Sequence, residues 1–298
     1  MDKKIFSGLE TMGFDNINEI KIYNKETESS KEENEFNKEK ALLYSKEVTC
    51  PVCGRTFKAI AVKSSSYRML KKDSDFFIRY SSINPYFYDV WGCNSCGYAA
   101  MKIDFHTLRS IEIEAIQKSI TPKWHGRMYP EVYNVHIAIE RYKLSLLNYV
   151  IINAKSSKKA INCMKLAWMY RLLETEDAKE MELVFLNQAL EGLSDAYYCE
   201  DFPIYGMDKY SAMYLIGELN RRLGHTENSL VWFSNVITTP NVKQNLKELA
   251  RDMKDLIKEE EAALLVAADD LSKSSTESFE ASDNVKKPGF FSKIFNSN

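Results

Sequence analysis

Glycine and proline are scarce in this chain, at 11 and 7 of 298 residues. These two residues are the main breakers of regular structure, so their scarcity argues against a loop-rich or low-complexity protein. Hydrophobic residues make up 45% of the chain and aromatic residues 12%, which is enough to build a sizeable packed core. The composition therefore favours long, packed helices in one or two globular domains.

A strong excess of charge is also missing, because 40 Lys and Arg balance 42 Asp and Glu to a formal charge of −2. This balance excludes a protein that is basic throughout and coats nucleic acid, and it excludes a wholly disordered acidic chain. The N-terminal sequence MDKKIFSGLE has no apolar core of signal-peptide length, and the most apolar stretch, Leu144 to Ala154, is shorter than a membrane span. We therefore expect a cytoplasmic protein without a membrane span, whose cysteine thiols stay reduced.

Changes in composition along the chain predict four parts. Residues 1–45 are very polar and are predicted to form a flexible lead, with one alternating stretch at 19–23 that is typical of a strand. Residues 46–103 combine short β-branched and aromatic runs with turn residues, which predicts a small β module. Residues 104–268 are predicted to form a helical domain, and residues 269–298 a disordered tail.

Apolar residues spaced three and four positions apart predict a series of helices in the third part. The predicted helices cover residues 108–119, 133–153, 157–173, 175–198, 209–223, 227–237 and 243–267.

The strongest chemical signal is a pair of Cys-x-x-Cys-Gly motifs. They read Cys50-Pro51-Val52-Cys53-Gly54 and Cys93-Asn94-Ser95-Cys96-Gly97. A two-residue gap lets both thiolates of a pair reach one ion from a tight turn, and the glycine suits the strained backbone that follows. Four thiolates form a tetrahedral site with no position open to water, so we predict one structural zinc ion held by Cys50, Cys53, Cys93 and Cys96.

These cysteines have two other interpretations. Disulfides are disfavoured in a reducing compartment. Iron is the sharper alternative, because Cys-x-x-Cys-Gly turns beside aromatic residues such as Phe57, Trp91 and Tyr98 also build mononuclear iron sites. The remaining cysteines, Cys163 and Cys199, are predicted to be ordinary core or near-surface thiols.

Motifs for common catalytic chemistry are missing from the sequence. It contains no phosphate-binding glycine loop, no nucleophile elbow and no closely spaced histidine pair. Asp73 and Asp75 form the one carboxylate pair of the β module, and we expect them to cap a solvated turn. An enzyme that uses Asp73, Asp75 or His106 is therefore a weaker hypothesis than a binding protein.

The helical part contains a pattern of small and aromatic residues. Gly217 and Gly224 lie near the end of one predicted helix, and Ser229, Phe233 and Pro240 follow in the next. Small residues where two helices cross, with an aromatic residue one turn later, are typical of a tetratricopeptide repeat. Stacked helical hairpins of this kind form grooves that bind peptides or partner helices, although the helices could also simply pack on one another.

Several short motifs occur along the chain in a fixed order. They are the first cysteine motif, Asp73-Ser74-Asp75-Phe76, Asn84-Pro85, Tyr88-Asp89-Val90-Trp91, the second cysteine motif with Tyr98-Ala99-Ala100, and Thr121-Pro122-Lys123. In this combination the chain resembles a bacterial family catalogued as domain of unknown function 2225, in which a zinc-ribbon-like module precedes a tetratricopeptide-like region. The resemblance covers about residues 44–260 and implies an architecture and a zinc ion, but no activity.

The expected fold class is therefore α+β, mainly α. A small zinc-ribbon-like β module with four cysteine ligands is expected to precede a tetratricopeptide-like antiparallel helical array. The leading functional hypothesis is a non-enzymatic zinc-binding adaptor or scaffold, with a protein or peptide partner in the helical groove.

Nucleic-acid binding by the β module is the first alternative hypothesis. Its basic candidates are Lys58, Lys63, Arg68, Lys71, Lys72 and Arg79, and its candidate stacking residues are Tyr67, Phe77, Tyr80, Tyr86 and Tyr88. An enzyme or a mononuclear-iron electron-transfer protein is the second alternative. The basic, aromatic segment from Lys286 to Phe295 is expected to be an inert tail, with a docking motif or a membrane-surface contact as alternatives.

Overall fold

The computed structural model describes residues 36–280, and the side chains of residues 36–263. The predicted strand at 19–23 and the basic, aromatic segment from Lys286 to Phe295 lie outside these residues. Among the described helices, none has both the length and the apolar character that crossing a bilayer requires.

Short strands between residues 43 and 101 form three antiparallel pairs in the described part of the chain. The pairs are β1 (Leu43–Thr49) with β2 (Thr56–Val62), β3 (Met69–Lys72) with β4 (Ile78–Tyr80), and β5 (Val90–Gly92) with β6 (Ala99–Met101). A 3₁₀ helix at Pro85–Tyr88 precedes β5. The β character predicted for this region is confirmed, but β1 begins three residues before the predicted start of the module at residue 46.

Helices follow from residue 110 onwards. They are α1 (Ser110–Ser119), α2 (Val135–Ile151), α3 (Ser156–Arg171), α4 (Glu176–Cys199), α5 (Lys209–Arg222), α6 (Thr226–Thr238) and α7 (Gln244–Glu280). Side-chain caps fix the starts of several of them: Asn134, Thr175 and Asp208 each accept a hydrogen bond from a backbone N–H in the first turn. All the predicted helices are therefore confirmed, and apart from the end of α7 their ends differ from the prediction by at most two residues.

The end of α7 differs most from the prediction. The helix was predicted to stop near residue 267, before a disordered tail from residue 269, but it continues to Glu280. Residues 268–280 contain no glycine or proline, so no residue in this stretch forces the backbone out of the helical conformation.

Consecutive helices from α2 to α7 pack against one another and form what we call the helical array. The crossing of α5 and α6 depends on a glycine: a Cβ atom at Gly217 would lie 3.0 Å from the ring of Phe233. The hydroxyl of Ser229 donates to the carbonyl of Gly217 at 2.9 Å, which holds the two helices at this close distance. The close crossing predicted from these small residues is confirmed, and the tetratricopeptide class of the array stays a prediction.

One continuous core joins the strands to the helical array. Ala99, Ala100 and Met101 of β6 are fully buried and pack, with α2, into the same cluster as the array. At the tip of the β3–β4 hairpin, Phe77 stacks on Trp168 with 5.2 Å between ring centroids. The division into a module at 46–103 and a helical domain at 104–268 therefore stays a prediction, since the two parts share their apolar interior.

Candidate metal centre

The four predicted cysteines lie together. The sulfurs of Cys50 and Cys96 are 3.6 Å apart, as are those of Cys53 and Cys93, and all four Sγ atoms lie within 4.8 Å of one another. A tetrahedral ion with metal–sulfur bonds of about 2.3 Å places its sulfurs about 3.8 Å apart. The thiols are free rather than disulfide-bonded, so the cluster has the size and the donor set of a single-metal site.

Two hairpin turns bring the sulfurs together. The first cysteine turn, Cys50–Gly54, connects β1 to β2, and the second, Cys93–Gly97, connects β5 to β6. In each turn the glycine N–H donates at 2.9 Å to the carbonyl of the first cysteine, and the glycine has a positive φ of 73° or 77°. The glycines therefore have the strained backbone that the sequence predicts.

Backbone N–H groups point at the sulfurs. The N–H groups of Val52 and Cys53 near the Cys50 sulfur, and those of Ser95 and Cys96 near the Cys93 sulfur, favour the ionised thiolate. Such hydrogen bonds stabilise a thiolate, which is the form that binds a metal.

The thiols influence one another's ionisation. Hydrogen bonds from Cys50 and Cys96 lower the pKa of Cys93, whereas hydrogen bonds to Cys50 and Cys93 raise the pKa of Cys96. One thiol in the cluster therefore loses its proton easily and its neighbour does so only reluctantly. A divalent cation supplies the positive charge that lets all four ionise together.

The site is closed on most sides. Cys50, Cys93 and Cys96 are each 1% exposed, and Cys53 is the one ligand at the surface. The Gln117 side chain of α1 donates to the Val52 carbonyl, and the Thr121 hydroxyl donates to the Cys96 carbonyl. The residues after β6 therefore clamp both cysteine turns, as expected of a structural centre.

The segment from Trp124 to Met128 covers the second cysteine turn. The Trp124 indole donates to the Asn94 carbonyl at 2.8 Å, and the Arg127 N–H donates to the Asn94 side chain at 2.5 Å. A Cβ atom at Gly97 would lie 2.8 Å from the Trp124 ring. Gly97 is therefore needed both for its backbone conformation and for the close approach of the indole.

We expect Gly97→Ala to destabilise the protein by about 2–5 kcal/mol. Of this, about 1–2 kcal/mol comes from the left-handed backbone, and the rest comes from overlap with Trp124. Gly54→Ala is the matched control, because Gly54 has a similar φ of +73° but no atom within 4 Å of an added Cβ. Thermal unfolding of metal-loaded protein measures both, and equal losses for the two variants would contradict the role given to Trp124.

The expectation that Asp73 and Asp75 cap a solvated turn is wrong. Asp75 is fully buried and receives hydrogen bonds from the Arg171 guanidinium at 2.6 Å and from the Trp168 indole at 3.0 Å. Burial alone would raise the pKa of Asp75, but Arg171 and the nearby Arg222 outweigh it and hold this pKa below its ordinary value of 3.8. Asp73 is largely buried as well and accepts from Arg79 and Arg171.

A second buried carboxylate continues this network. Glu218 of α5 is fully buried, accepts from Arg221 and Arg222, and receives the Ser74 hydroxyl at 2.6 Å. The Asp73–Phe76 tip of the β3–β4 hairpin is thus bound to α3 and α5 by charge-assisted hydrogen bonds. The sequence analysis does not identify the partners of this tip on the helices, which are Arg171, Glu218 and Arg222. The signal that could have found them is the presence of charged residues within otherwise apolar helices.

The basic residues considered for nucleic-acid binding differ in their surroundings. Lys58, Arg68, Lys71 and Lys72 are exposed, Lys63 donates to the Ala41 carbonyl, and Arg79 is partly buried against Asp73. Phe77 and Tyr88 are buried and cannot stack on bases, so those two assignments are wrong. His106 is exposed beside Trp91 and Phe105, Cys163 is buried in α3, and Cys199 is exposed at the end of α4.

A groove, here named the hairpin–array groove, runs between the β3–β4 hairpin and the end of the helical array. It encloses about 1340 Å³ of empty space, counting its open mouth. The hairpin contributes Lys72, Phe76 and Ile78; the loop before α5 and the start of that helix contribute Tyr205, Asp208, Tyr210 and Ser211; α7 and the loop before it contribute Asn241, Lys243, Asn245, Leu246 and Leu249. The lining of the groove therefore combines apolar side chains with amides, two lysines and one carboxylate.

Comparison with protein families gives one finding. A family model described as an uncharacterized protein conserved in bacteria, DUF2225, matches residues 43–257. The match begins at β1, includes both cysteine turns and ends within α7. Comparisons with curated proteins and with solved structures gave no match.

Proposed function

The chain belongs to the bacterial family DUF2225, and we propose that it is a non-enzymatic, zinc-binding adaptor or scaffold protein. In this proposal the metal stabilises the paired strands, and the hairpin–array groove binds a protein or peptide partner. The observation that carries the proposal is the groove itself, which is built jointly by the β3–β4 hairpin and the helices.

The donor set supports zinc as a structural ion. Four cysteine ligands satisfy tetrahedral zinc completely and leave no position for a reacting water. Three of these sulfurs are buried in the protein core, which suits a stabilising role better than substrate access. Their reduced state is compatible with a cytoplasmic location, which forms part of the proposal.

The lining of the groove supports an extended, acidic peptide as the partner. Lys72 and Lys243 outnumber the one carboxylate of the lining, Asp208, which caps the start of α5. Asn241 and Asn245 can pair with a peptide backbone. Tyr210 and Leu249 offer apolar surface for a side-chain anchor. An open groove with these properties fits the binding mode of stacked helical hairpins.

Leu249→Glu is expected to abolish partner binding with little effect on folding. Leu249 is 37% exposed, so the added carboxylate is solvated in the free protein but repels an acidic peptide in the groove. Val231→Glu on α6 is the matched control, because Val231 is 60% exposed and does not line the groove. Tagged wild-type protein and both variants are purified from the native host. Each protein that co-purifies is then purified separately, and its affinity for wild type and for each of the two variants is measured.

The proposal requires a partner that binds wild type and Val231→Glu equally and binds Leu249→Glu at least tenfold more weakly. The melting temperatures of the two variants should stay within about 2 °C of wild type. A partner that binds Leu249→Glu as well as wild type would exclude this groove as its site.

Nucleic-acid binding is the second candidate, favoured by the exposure of Lys71 and Lys72 in β3 and of Arg68 directly before it. The same purification distinguishes it. If the chain binds nucleic acid, nuclease treatment or the double substitution Lys71→Glu and Lys72→Glu should remove the nucleic acid that co-purifies with it. The affinity for that nucleic acid should also fall strongly as the salt concentration rises. Retention that is insensitive to nuclease and to both substitutions argues against this candidate.

A further inference from the structure

Arg141 is a buried cation without a carboxylate partner in the described part of the chain. It lies on α2, is 8% exposed, and takes part in no ion pair within 4.0 Å among residues 36–263. Its Nη2 donates to the Val90 carbonyl at 2.5 Å, while its Nε is buried and has no hydrogen-bond acceptor there. Buried charges are normally paired, because an unpaired one loses its hydration without compensation.

Aromatic rings hold the guanidinium in position. Its central carbon lies 5.0 Å from the ring centroid of Tyr129 and 4.8 Å from that of Tyr133. These cation–π contacts orient the planar group but do not neutralise its charge. The nearby Arg127 does not share this situation, because it forms an ion pair with Glu140 at 2.9 Å.

Arg141 lines a cavity beside the second cysteine turn. The cavity has about 320 Å³ of empty space, counting its open mouth, and is separate from the hairpin–array groove. Val90, Leu144 and Trp124 contribute apolar walls, and Asn94 contributes a side-chain amide. The site thus combines an unneutralised guanidinium, an amide and an apolar wall in a partly enclosed space.

We propose that this cavity binds the oxyanion of a small molecule, a carboxylate or a phosphate group, through Arg141. A planar guanidinium presents N–H donors that match these anions. Nη2 already donates to the Val90 carbonyl, and Nε is the donor that lacks an acceptor among the described residues. The apolar walls would accommodate the uncharged body of such a ligand. The cavity is therefore a small-molecule site independent of the partner groove.

Thermal unfolding of the full metal-loaded chain tests the proposal with two probes, inorganic phosphate and acetate, at constant ionic strength set by sodium chloride. Wild type should rise in melting temperature with the logarithm of the concentration of at least one probe, by about 5–10 °C at 100 times its Kd. Arg141→Gln should show no such rise. Arg109→Gln, which removes an exposed arginine of the pair with Glu112, should respond as wild type does.

A second variant and a second readout cover a failure of Arg141→Gln to fold. Arg141→Lys keeps the charge but loses the planar fork, and should bind the active probe at least tenfold more weakly. Binding should also change the fluorescence of Trp124, and Trp124→Phe identifies that component of the signal. A response to phosphate alone or to acetate alone supports the site and identifies the anion class.

Two results would overturn the proposal. One is the absence of a rise in melting temperature with both probes, and the other is an undiminished response in Arg141→Lys and Arg141→Gln. Cys93 also lines the cavity, so the charge of Arg141 could instead serve the cysteine cluster. In that case Arg141→Gln lowers the metal content, while wild type shows no response to either anion.

Discussion

Cys96→Ser is expected to remove the bound metal and to unfold the paired strands between Leu43 and Met101. Structural zinc contributes about 10–16 kcal/mol of apparent binding free energy in small finger peptides, which is comparable to the whole stability of a typical domain. The strands around the cluster are short, and β5 and β6 have three residues each. Their own packing therefore cannot replace the four metal–sulfur bonds.

The effect should extend into the helical array. Cys96 belongs to the same buried cluster as Trp91, Ile116 of α1 and Tyr149 of α2, so loss of the second cysteine turn exposes apolar surface on both helices as well. We expect the metal content to fall from about one ion per chain to none, with loss of the near-ultraviolet circular dichroism of the buried aromatic residues.

Cys199→Ser is the matched control for this substitution. Cys199 is exposed at the end of α4 and hydrogen-bonds only weakly to Asp195 at 3.6 Å, so its variant should keep both metal and melting temperature. A Cys96→Ser protein that retains one tightly bound ion and unfolds within about 2 °C of wild type would contradict the structural role of the cluster.

Metal analysis of the same wild-type sample decides between zinc and iron. Four thiolates at these distances accept either ion, because both adopt tetrahedral sulfur coordination. A colourless protein with one zinc per chain supports the structural assignment. A coloured protein with one iron per chain would move the proposed function towards electron transfer.

The helices and the cysteine cluster could be predicted because their signals are local. The period of apolar residues defines each helix, and residues such as Thr175 and Asp208 define where a helix begins. Each cysteine turn likewise contains its own two ligands and its glycine. Joining the two turns required only that four thiolates satisfy one ion.

The environment of the β3–β4 hairpin could not be predicted because its partners are distant in sequence. Asp75 pairs with Arg171, 96 positions away, and Ser74 donates to Glu218, 144 positions away. In the sequence, Asp73-Ser74-Asp75 has the composition of an ordinary solvated turn. Only the folded chain shows that this turn inserts between α3 and α5. There, ion pairs with arginines of the two helices compensate the carboxylates for the water that they lose on burial.

The same limit applies to β1. Its sequence, LYSKEVT, is mostly polar and follows a charged segment, so periodicity alone did not extend the module to residue 43. Pairing with β2 stabilises it, through a register that places Val48 opposite Phe57. The strand is thus determined by its pairing partner and by the first cysteine turn, which joins the two strands.

Asp75→Asn is expected to destabilise the protein by about 3–5 kcal/mol, which lowers the melting temperature by about 6–20 °C. The substitution preserves the shape of the side chain and an acceptor for the Trp168 indole. It removes the negative charge that faces Arg171 at 2.6 Å and Arg222 at 3.7 Å, and the largely buried Arg171 is left with Glu182 and Asp73 as its counter-ions. Asp255→Asn is the matched control, because Asp255 is exposed and pairs only with Lys258.

The pH dependence of this loss follows from the lowered pKa of Asp75. A carboxyl group whose pKa is lower in the folded state than in the unfolded state stabilises the fold fully above its unfolded value, here 3.8. That contribution is lost as the pH falls below 3.8 towards the folded pKa. The difference in stability between wild type and Asp75→Asn should therefore be constant from pH 5 to pH 7 and should shrink below pH 3.8.

Comparing the two proteins at each pH removes effects that they share, such as protonation of the metal thiolates in acid.

A double substitution then distinguishes the charge pair from a merely tight fit. If Arg171 is destabilising once its partner is neutral, Asp75→Asn with Arg171→Met should lose less stability than the sum of the two single substitutions. Strict additivity, or a loss for Asp75→Asn as small as that for Asp255→Asn, would mean that the charge pair of Asp75 and Arg171 adds nothing to the attachment of the hairpin tip, which would then rest on its aromatic contacts and on the bonds of Ser74 and Asp73.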